Sequence, residues 1–365
     1  LTGTKEGCAE GDCGACSVVV GRLAGDNQPV WQAVNACILF LPMLHGTVLT
    51  TIEGVAGTDG QLHPVQQSMI DNHGAQCGFC TPGFVMSLYA GWCSGLAFNT
   101  SNIESLLSGN LCRCTGYGPI VRAGEALANM ARPQWAIARL QADIDGLRQM
   151  QEEEAEKGLE ISVRGQRFNA PTSIAELEQL YIENPDAQIL SGATDIGLWV
   201  TKHHHQLAHF IHIGRVAELE QIEKTDSHIK IGAGVTHQQA MTYLAEDYPA
   251  LQEIWARFGS AQVRASGRVC ANIANASPIG DLSPCFLALG AEVLLNRGGD
   301  KRQIRLEDFF IDYGQQDRLS GEFVEAILLP RLSDDQHLYA YKISKRFDQD
   351  ISAVLMAACI KIDQD

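Results

Sequence analysis

The sequence predicts a multidomain α+β protein whose character changes twice along the chain. Three observations carry this expectation. Residues 1–52 are β-rich around a loop holding Cys8, Cys13 and Cys16, residues 64–128 read as helices, and from residue 161 strands alternate with helices. A length of 365 residues exceeds one ordinary core and fits two or three domains.

Composition narrows the function classes. Hydrophobic residues make up 45% and charged residues 19%, as in a globular protein. No apolar run reaches the roughly 18 residues needed to span a bilayer, and no basic-then-apolar leader is visible, so neither a membrane nor secretion is expected. The net charge of −16 and the lack of a basic patch argue against a nucleic-acid partner. Of 12 cysteines, those at 8, 13, 16, 37, 77, 80, 93, 112 and 114 lie in the first third. Tight spacings without a leader read as metal ligands in a reducing compartment, the cytoplasm, and not as disulfides.

The elements follow in order. "CSVVVGRL" is a strand, "DNQP" a turn, and "VWQAVNACILFLP" a second apolar segment carrying Cys37. Four helices come next: from Pro64, from Pro82, from Ser101 with a Ser101…Glu104 capping box, and from "GPIVRAGEALANMA". Residues 133–160 are polar, with an acidic run at Glu152–Glu154, and read as a solvated, partly helical linker. Then "AQILSGATDIGLWVTKHH" and "HIKIGAGVTHQQAMTYLA" are each a strand followed by a helix. A hairpin is expected to turn at Gly298–Gly299, and "EFVEAILLP", "HLYAYKISKR" and "MAACIKIDQD" are further strands.

Two cysteine constellations carry chemistry. Cys8-x4-Cys13-x2-Cys16 with a distant Cys37 has the plant-type ferredoxin spacing for a [2Fe–2S] cluster. Gly7, Gly11 and Gly14 let that loop turn tightly and aim amides at sulfur. Zinc, which favours paired knuckles, fits the spacing poorly. Cys77-x2-Cys80 with Cys112-x-Cys114 places two thiol pairs in turns at helix ends. There the residues alone leave zinc and iron–sulfur both open.

Three longer stretches, "HGAQCGFCTPGFVMSLYA", "LSGNLCRCTGYGPIVRA" and the opening "LTGTKEGC", resemble the paired [2Fe–2S] domains of the xanthine dehydrogenase branch of the molybdenum hydroxylase family. "LSGATDIG", "ANIANASPIGDLSP", "DYGQQDRLSGEFVEAI" and "KISKRFDQDISAV" resemble that family's FAD domain, so the resemblance covers nearly the whole chain. It implies an N-terminally truncated β-grasp ferredoxin domain at 1–52 and a four-helix [2Fe–2S] domain at 53–132. After the linker it implies an α/β FAD-binding domain of the vanillyl-alcohol-oxidase/CO-dehydrogenase-flavoprotein type at 161–335, and the start of a C-terminally truncated flavoprotein domain at 336–365.

The resemblance also implies residue roles. Cys8, Cys13, Cys16 and Cys37 would hold the cluster nearer the flavin; Cys77, Cys80, Cys112 and Cys114 would hold the cluster nearer molybdenum, which displaces zinc. Gln76 would reach a molybdopterin cofactor on a large partner subunit of a hetero-oligomer. Phe258, Arg268, Asn272, Ser277 and Asp281 would line the FAD, with Lys342 a cation close to the flavin; its bland alternative is a surface lysine on a strand. The implied activity is electron transfer from molybdenum through both clusters to FAD and then NAD⁺, in oxidation of hypoxanthine and xanthine to urate. Rival readings are the same relay for an aldehyde or aromatic substrate, or a non-enzymatic redox or zinc scaffold.

The run Ile189, Leu190, Ser191, Gly192, Ala193, Thr194, Asp195, Ile196 has its own logic: a strand-to-helix turn whose amides can cradle a pyrophosphate, with a plain αβ loop as the alternative. Two departures from the family pattern bear on flavin binding. Ala193 stands where glycine is frequent, and so do Cys270 and Ala271; a positive φ at any of them means strain. "GAG" at 232–234 lacks the rest of a Rossmann fingerprint. Cys93, Cys285 and Cys359 are expected as small core residues, and "KHHH" at 202–205 as an exposed helix end.

Overall fold

The computed structural model describes every residue except 1, 25–26, 155–156, 313 and 363–365. Tyr313 of the "DYGQQDRL" motif, residues 155–156 of the expected linker and the final three residues thus lie outside the described residues. The chain divides into two compact units. Unit 1 is Leu1–Ala155 with Ala193–His205 and Ser260–Ala265; unit 2 is Glu156–Gly192, Gln206–Gly259 and Ser266–Asp365.

In unit 1 an antiparallel sheet of order β2-β1-β3 is built from β1 (Ser17–Leu23), β2 (Pro29–Asn35) and β3 (Val48–Thr50). Helices α1 (Pro64–Asp71), α2 (Thr81–Cys93), α3 (Thr100–Leu107) and α4 (Gly118–Ala126) follow, two of them at the positions expected from Pro64 and Pro82. Helix α2 is apolar nearly all round because it is central: it is buried from Gly83 to Cys93 and packs on β1, β2, α1 and α3. Helix α3 is not capped by a Ser101…Glu104 box. Asn99, in extended conformation, takes that place and accepts from the Asn102 amide at 3.0 Å.

The segment expected as a solvated, partly helical linker contains a 21-residue helix, α5 (Gln134–Glu154). Ala136, Leu140, Ile144 and Leu147 recur at helical spacing and face the core of unit 1. Arg139, one turn along, donates to the carbonyls of Gly54, Val55 and Ala56 at 2.7, 2.6 and 2.9 Å. Its polarity in sequence thus describes only its outer face.

Unit 2 contains β4 (Leu159–Val163), β5 (Gln166–Ala170), α6 (Ile174–Glu183), β6 (Gln188–Leu190) and, beyond α7 (Ile196–Thr201, a unit 1 segment), β7 (His209–His212). Its four strands form a mixed sheet of order β4-β5-β7-β6, with β7 parallel to both neighbours. The chain then runs through β8 (Ile222–Lys224), β9 (His228–Gly232), α8 (His237–Tyr243), α9 (Leu251–Arg257), α10 (Ala261–Ser266, in unit 1 but for its last residue), α11 (Val269–Ala274) and α12 (Leu282–Leu289). Next come β10 (Glu292–Arg297), β11 (Asp300–Arg305), α13 (Leu306–Phe309), the ribbon β12 (Phe310–Asp312) and β13 (Gln315–Gln316), and β14 (Phe323–Pro330). The last pair is β15 (Gln336–Ile343) with β16 (Val354–Lys361).

An antiparallel sheet of order β11-β10-β14-β9-β8 closes around Trp255, Phe286 and Phe309. The β10–β11 turn is Gly298–Gly299 as expected, with φ of 58° and 90° that only glycine adopts freely. At "GAG", a Cβ on Gly232 would sit 2.2 Å from the Leu219 carbonyl, so close backbone passage accounts for that glycine. Cys93 and Cys285 are buried in the cores, Cys359 packs partly buried against one, and His203–His205 are exposed after α7. Among the described residues no helix is long and apolar enough to cross a membrane.

Candidate functional site

The first thiol group is assembled by strand register. Ser17 pairs with Asn35 at one end of the sheet, so the loop ending at Cys16 and the 3-10 turn carrying Cys37 emerge side by side. The Cys37 thiol hydrogen-bonds to Cys16; this bond raises Cys37 and lowers Cys16, so Cys16 is the readier thiolate of the two. Cys8 and Cys13 form the other pair. The amides of Asp12 and Cys13 both donate to Cys8 Sγ at 3.4 Å, and burial pushes the Cys13 thiol up. Gly11 and Gly14 adopt φ of 75° and 69°, whereas Gly7 serves by proximity: a Cβ there would lie 3.1 Å from Cys13 Sγ.

The second group lies in the turns before α2 and before α4. Cys77 Sγ and Cys114 Sγ are 3.6 Å apart, far beyond a disulfide bond of about 2.05 Å. Their hydrogen bond raises Cys114, while Cys77, under the Phe79 amide first and Cys114 second, is lowered. Cys80 and Cys112 are the second pair. Burial, then the Cys112 thiol, pushes Cys80 up to about 12. At Cys112 burial acts upward but is outweighed by the Thr115 hydroxyl and amide, so its thiol is lowered. Tyr117, at φ 67°, turns its hydroxyl back to accept from the Cys112 amide at 3.0 Å. Gln76 is exposed beside Cys77.

All eight thiols therefore meet two by two, Cys8 with Cys13, Cys16 with Cys37, Cys77 with Cys114 and Cys80 with Cys112. Among the described residues no three His, Cys, Asp or Glu side chains converge on one ion. Paired thiols fit a two-iron centre, in which each iron takes two thiolates and two sulfides.

The residues expected to line the FAD form local groups. Ile189 and Leu190 end β6, and Asp195 and Ile196 begin α7. Between them Ala193 has φ 60°, so the strain expected there is present. It is absent at Cys270 and Ala271, which lie inside α11; Cys270 Sγ is buried, 3.3 Å from the Ile231 carbonyl. Gly192 is held against another turn: a Cβ would sit 1.9 Å from the Ser266 carbonyl oxygen. Beyond that turn Arg268 starts α11 and Asn272 lies within it. Ser191 Oγ and Asn272 Oδ1 are buried without a hydrogen-bond partner. Two such unmatched buried polar atoms fit a polar cofactor bound there. Phe258 stacks obliquely on His237, centroids 4.4 Å apart. Ser277 and Asp281 flank the turn into α12. Lys342 is no surface lysine: its Nζ lies 2.5 Å from Asp281 Oδ2, both side chains buried.

Sequence reasoning misses several residues around the thiols. Asn110 and Gln262 are buried amides that touch the cysteine loops, and Lys202 donates to the Cys8 carbonyl while lying 3.3 Å from Glu10 Oε2. Nothing in their local pattern marks them, apart from the place of Asn110 two residues before Cys112.

Comparison with known proteins agrees with this geometry. A family described as "[2Fe-2S] binding domain" matches residues 51–125, and one described as "FAD binding domain in molybdopterin dehydrogenase" matches residues 163–332. Xanthine dehydrogenase of Drosophila pseudoobscura pseudoobscura is 31% identical over 414 residues, covering 100% of this chain and 31% of the relative. Xanthine dehydrogenase 1 of Arabidopsis thaliana is 31% identical, covering 97% of this chain and 31% of the relative. The chain thus spans about a third of the length of these curated relatives. Among solved structures, quinoline 2-oxidoreductase from Pseudomonas putida 86 shares the fold, with a TM-score of 0.51 and 22% identity over 56% of this chain and 71% of that one. Cu,Mo-CO dehydrogenase shares it with a TM-score of 0.50 and 22% identity, over 54% of this chain and 69% of that one. With both domain types present and relatives matching from end to end of the chain, the protein belongs to the molybdenum hydroxylase family, of which it carries [2Fe–2S] and FAD-binding parts.

Proposed function

We infer that the chain is the electron-transfer and flavin part of a xanthine dehydrogenase, taking electrons from a molybdopterin centre on a partner polypeptide and delivering them to NAD⁺. The observation that carries this reading is the two-by-two meeting of the eight thiols, which favours two-iron centres over zinc. When bound, the clusters supply one-electron and the FAD two-electron redox chemistry.

The residues of this chain have holding and shielding roles. Cys8 and Cys13 would take one iron of the first cluster, and Cys16 and Cys37 the other. Cys77 with Cys114, and Cys80 with Cys112, would divide the second in the same way. The amides on Cys8 Sγ and the Tyr117-locked amide of Cys112 keep each loop in a thiolate-stabilising shape. Gln76, exposed beside Cys77, would meet the pterin. Ser191 and Asn272 would give their unmatched oxygens to FAD, while Gly192 lets its turn sit directly against the Ser266 backbone. All 12 cysteines are free, which suits the cytoplasm.

The relatives named above are xanthine dehydrogenases, which favours a purine substrate. The test is purification from the native source with metal analysis. Iron, molybdenum and FAD co-eluting with a second polypeptide, together with xanthine-dependent NAD⁺ reduction, is the expected result. A colourless protein carrying zinc would overturn the reading, and activity with an aldehyde or quinoline alone would overturn the substrate.

A further inference from the structure

The two cysteine loops of unit 1 touch directly. The Leu111 amide donates to the Cys13 carbonyl at 3.0 Å, so one hydrogen bond and one residue of backbone separate Cys13 from Cys112. Beside this bond lies a buried polar node. Asn110 Nδ2 donates to the Gly14 carbonyl at 3.1 Å, and Asn110 Oδ1 accepts from Ser87 Oγ at 2.6 Å. Ser17 Oγ donates to the same Gly14 carbonyl at 2.8 Å. Gln262 Nε2 closes the node, 3.2 Å from each of Ser17 Oγ, Ser87 Oγ and Asn110 Oδ1.

The backbone around the node is built for close approach. A Cβ on Gly14 would lie 2.2 Å from the Gly109 carbonyl, one on Gly83 2.2 Å from the Gly14 carbonyl, and one on Gly109 1.9 Å from Gln262 Oε1. Packing alone does not call for an amide at 262. Gln262 Oε1 is buried and has no partner, a loss that an apolar side chain of equal length avoids. What the amide adds is a single group that bonds the strand, the helix and the loop at once. Fixed geometry of this kind is what a satisfied side-chain network contributes beyond stability.

We propose that Gln262 is a positioning residue for electron exchange between the two thiol sites: through Ser17, Ser87 and Asn110 it clamps the Cys13–Cys16 loop onto the Cys112–Cys114 loop at one separation. This rests on the reading that both sites hold [2Fe–2S] clusters. Gln262 is not a ligand; its hydrogen bonds go to Ser17, Ser87 and Asn110.

The test compares the reduced, cluster-loaded protein with its Gln262→Met variant by electron paramagnetic resonance at low temperature. Two paramagnetic centres held at a fixed separation split each other's lines. Both cluster signals are expected to persist in the variant, with the mutual splitting reduced or lost and the Leu111 amide exchanging at least tenfold faster. Should Gln262→Met fail to fold, Ser87→Ala removes one arm of the node and is expected to change the splitting in the same direction. A purely structural role would lower the melting temperature and leave the splitting as in the unsubstituted protein, and that result overturns the proposal. Absence of one iron–sulfur signal from the unsubstituted protein overturns instead the functional reading on which it rests.

Discussion

Lys342 and Asp281 form an ion pair with Nζ 2.5 Å from Oδ2, their side chains only 1% and 6% exposed. Both residues have further support. Ser352 Oγ donates to Asp281 Oδ1 at 2.6 Å, and the Arg257 guanidinium donates to the Lys342 carbonyl at 2.8 Å. The pair joins the start of α12 to β15 across the core of unit 2. A lysine this deep is tolerated because a carboxyl group lies in direct contact with it. A cation so matched also presents little net charge to a ligand nearby.

Removing one partner leaves the other charge buried alone. Lys342→Met is expected to cost about 3–5 kcal/mol of stability. The double variant Lys342→Met with Asp281→Leu is expected to recover most of it, because no unpaired charge remains. Urea unfolding of the three proteins reads this directly. A double variant as unstable as the single one would show that the pair is not the source of the loss.

How much of this is legible in the sequence depends on the range of the signal. The cysteine spacings, Pro64, Pro82 and Gly298–Gly299 act within a few residues, and the structure has helices and a turn where these point. Helix α5 reads as solvated because its charged outer face dominates its composition, while the stripe from Ala136 to Leu147 shows only once a partner surface is known. Gln262 is invisible for a stronger reason. Its partners Ser17, Ser87 and Asn110 are separated from it by 245, 175 and 152 residues, and no local pattern encodes such contacts. Resemblance singles out Lys342, but only tertiary structure shows that Asp281 matches it.

Neighbouring residues in the turn between β6 and α7 are expected to respond in opposite directions. Ala193 has φ 60°, a left-handed conformation that costs an L-residue about 1–2 kcal/mol. Ala193→Gly removes that strain but frees the unfolded chain by about 0.4–1 kcal/mol, for a net gain of about 0.5–1 kcal/mol. Gly192→Ala places a methyl 1.9 Å from the Ser266 carbonyl oxygen, so the turn must move. It is expected to lose about 1–3 kcal/mol and to retain less flavin. Melting temperature and flavin absorbance per chain measure both. Equal effects of the two substitutions would contradict this geometry.

Two buried histidines set an acid limit on stability. Burial holds His212 down to about 4, against a raising effect from the Leu190 carbonyl and with Arg268 and Arg215 adding to the depression. Burial first, then Arg139 and Arg132, holds His63 down to about 3 among Tyr89, Trp92 and Trp135. Unfolded histidine titrates near about 6.5, so below that pH the unfolded chain binds protons the folded one refuses. Their contribution is complete above about pH 6.5 and is lost as pH falls, at up to about 1.4 kcal/mol per unit for each histidine. His212→Asn keeps a donor for the Leu190 carbonyl and removes the titration. Urea unfolding at pH 7, 6 and 5 is expected to show a shallower slope in this variant, and an unchanged slope would exclude His212 as its source.

The first thiol loop is flanked by α7, and this gives a charge effect of definite sign. A Cβ on Gly197 would lie 2.7 Å from both Ile38 Cβ and the Ile38 carbonyl, so the helix rests on the residue after Cys37. Lys202 caps the C-terminal end of that helix and is fixed there by its contacts: it donates to the Cys8 carbonyl and pairs with Glu10 at 3.3 Å. Reduction adds negative charge to a bound cluster, and a nearby cation favours that state. Lys202→Met removes the cation and leaves Glu10 unpaired, and both changes lower the midpoint potential of the first cluster. The second cluster, held by other loops, is expected to keep its potential. Because Lys202 is 38% exposed, the shift is screened and should be larger at low ionic strength. Redox titration followed by electron paramagnetic resonance at two salt concentrations resolves the two signals. A shift upward, or an equal shift of both clusters, would contradict the placement of Lys202.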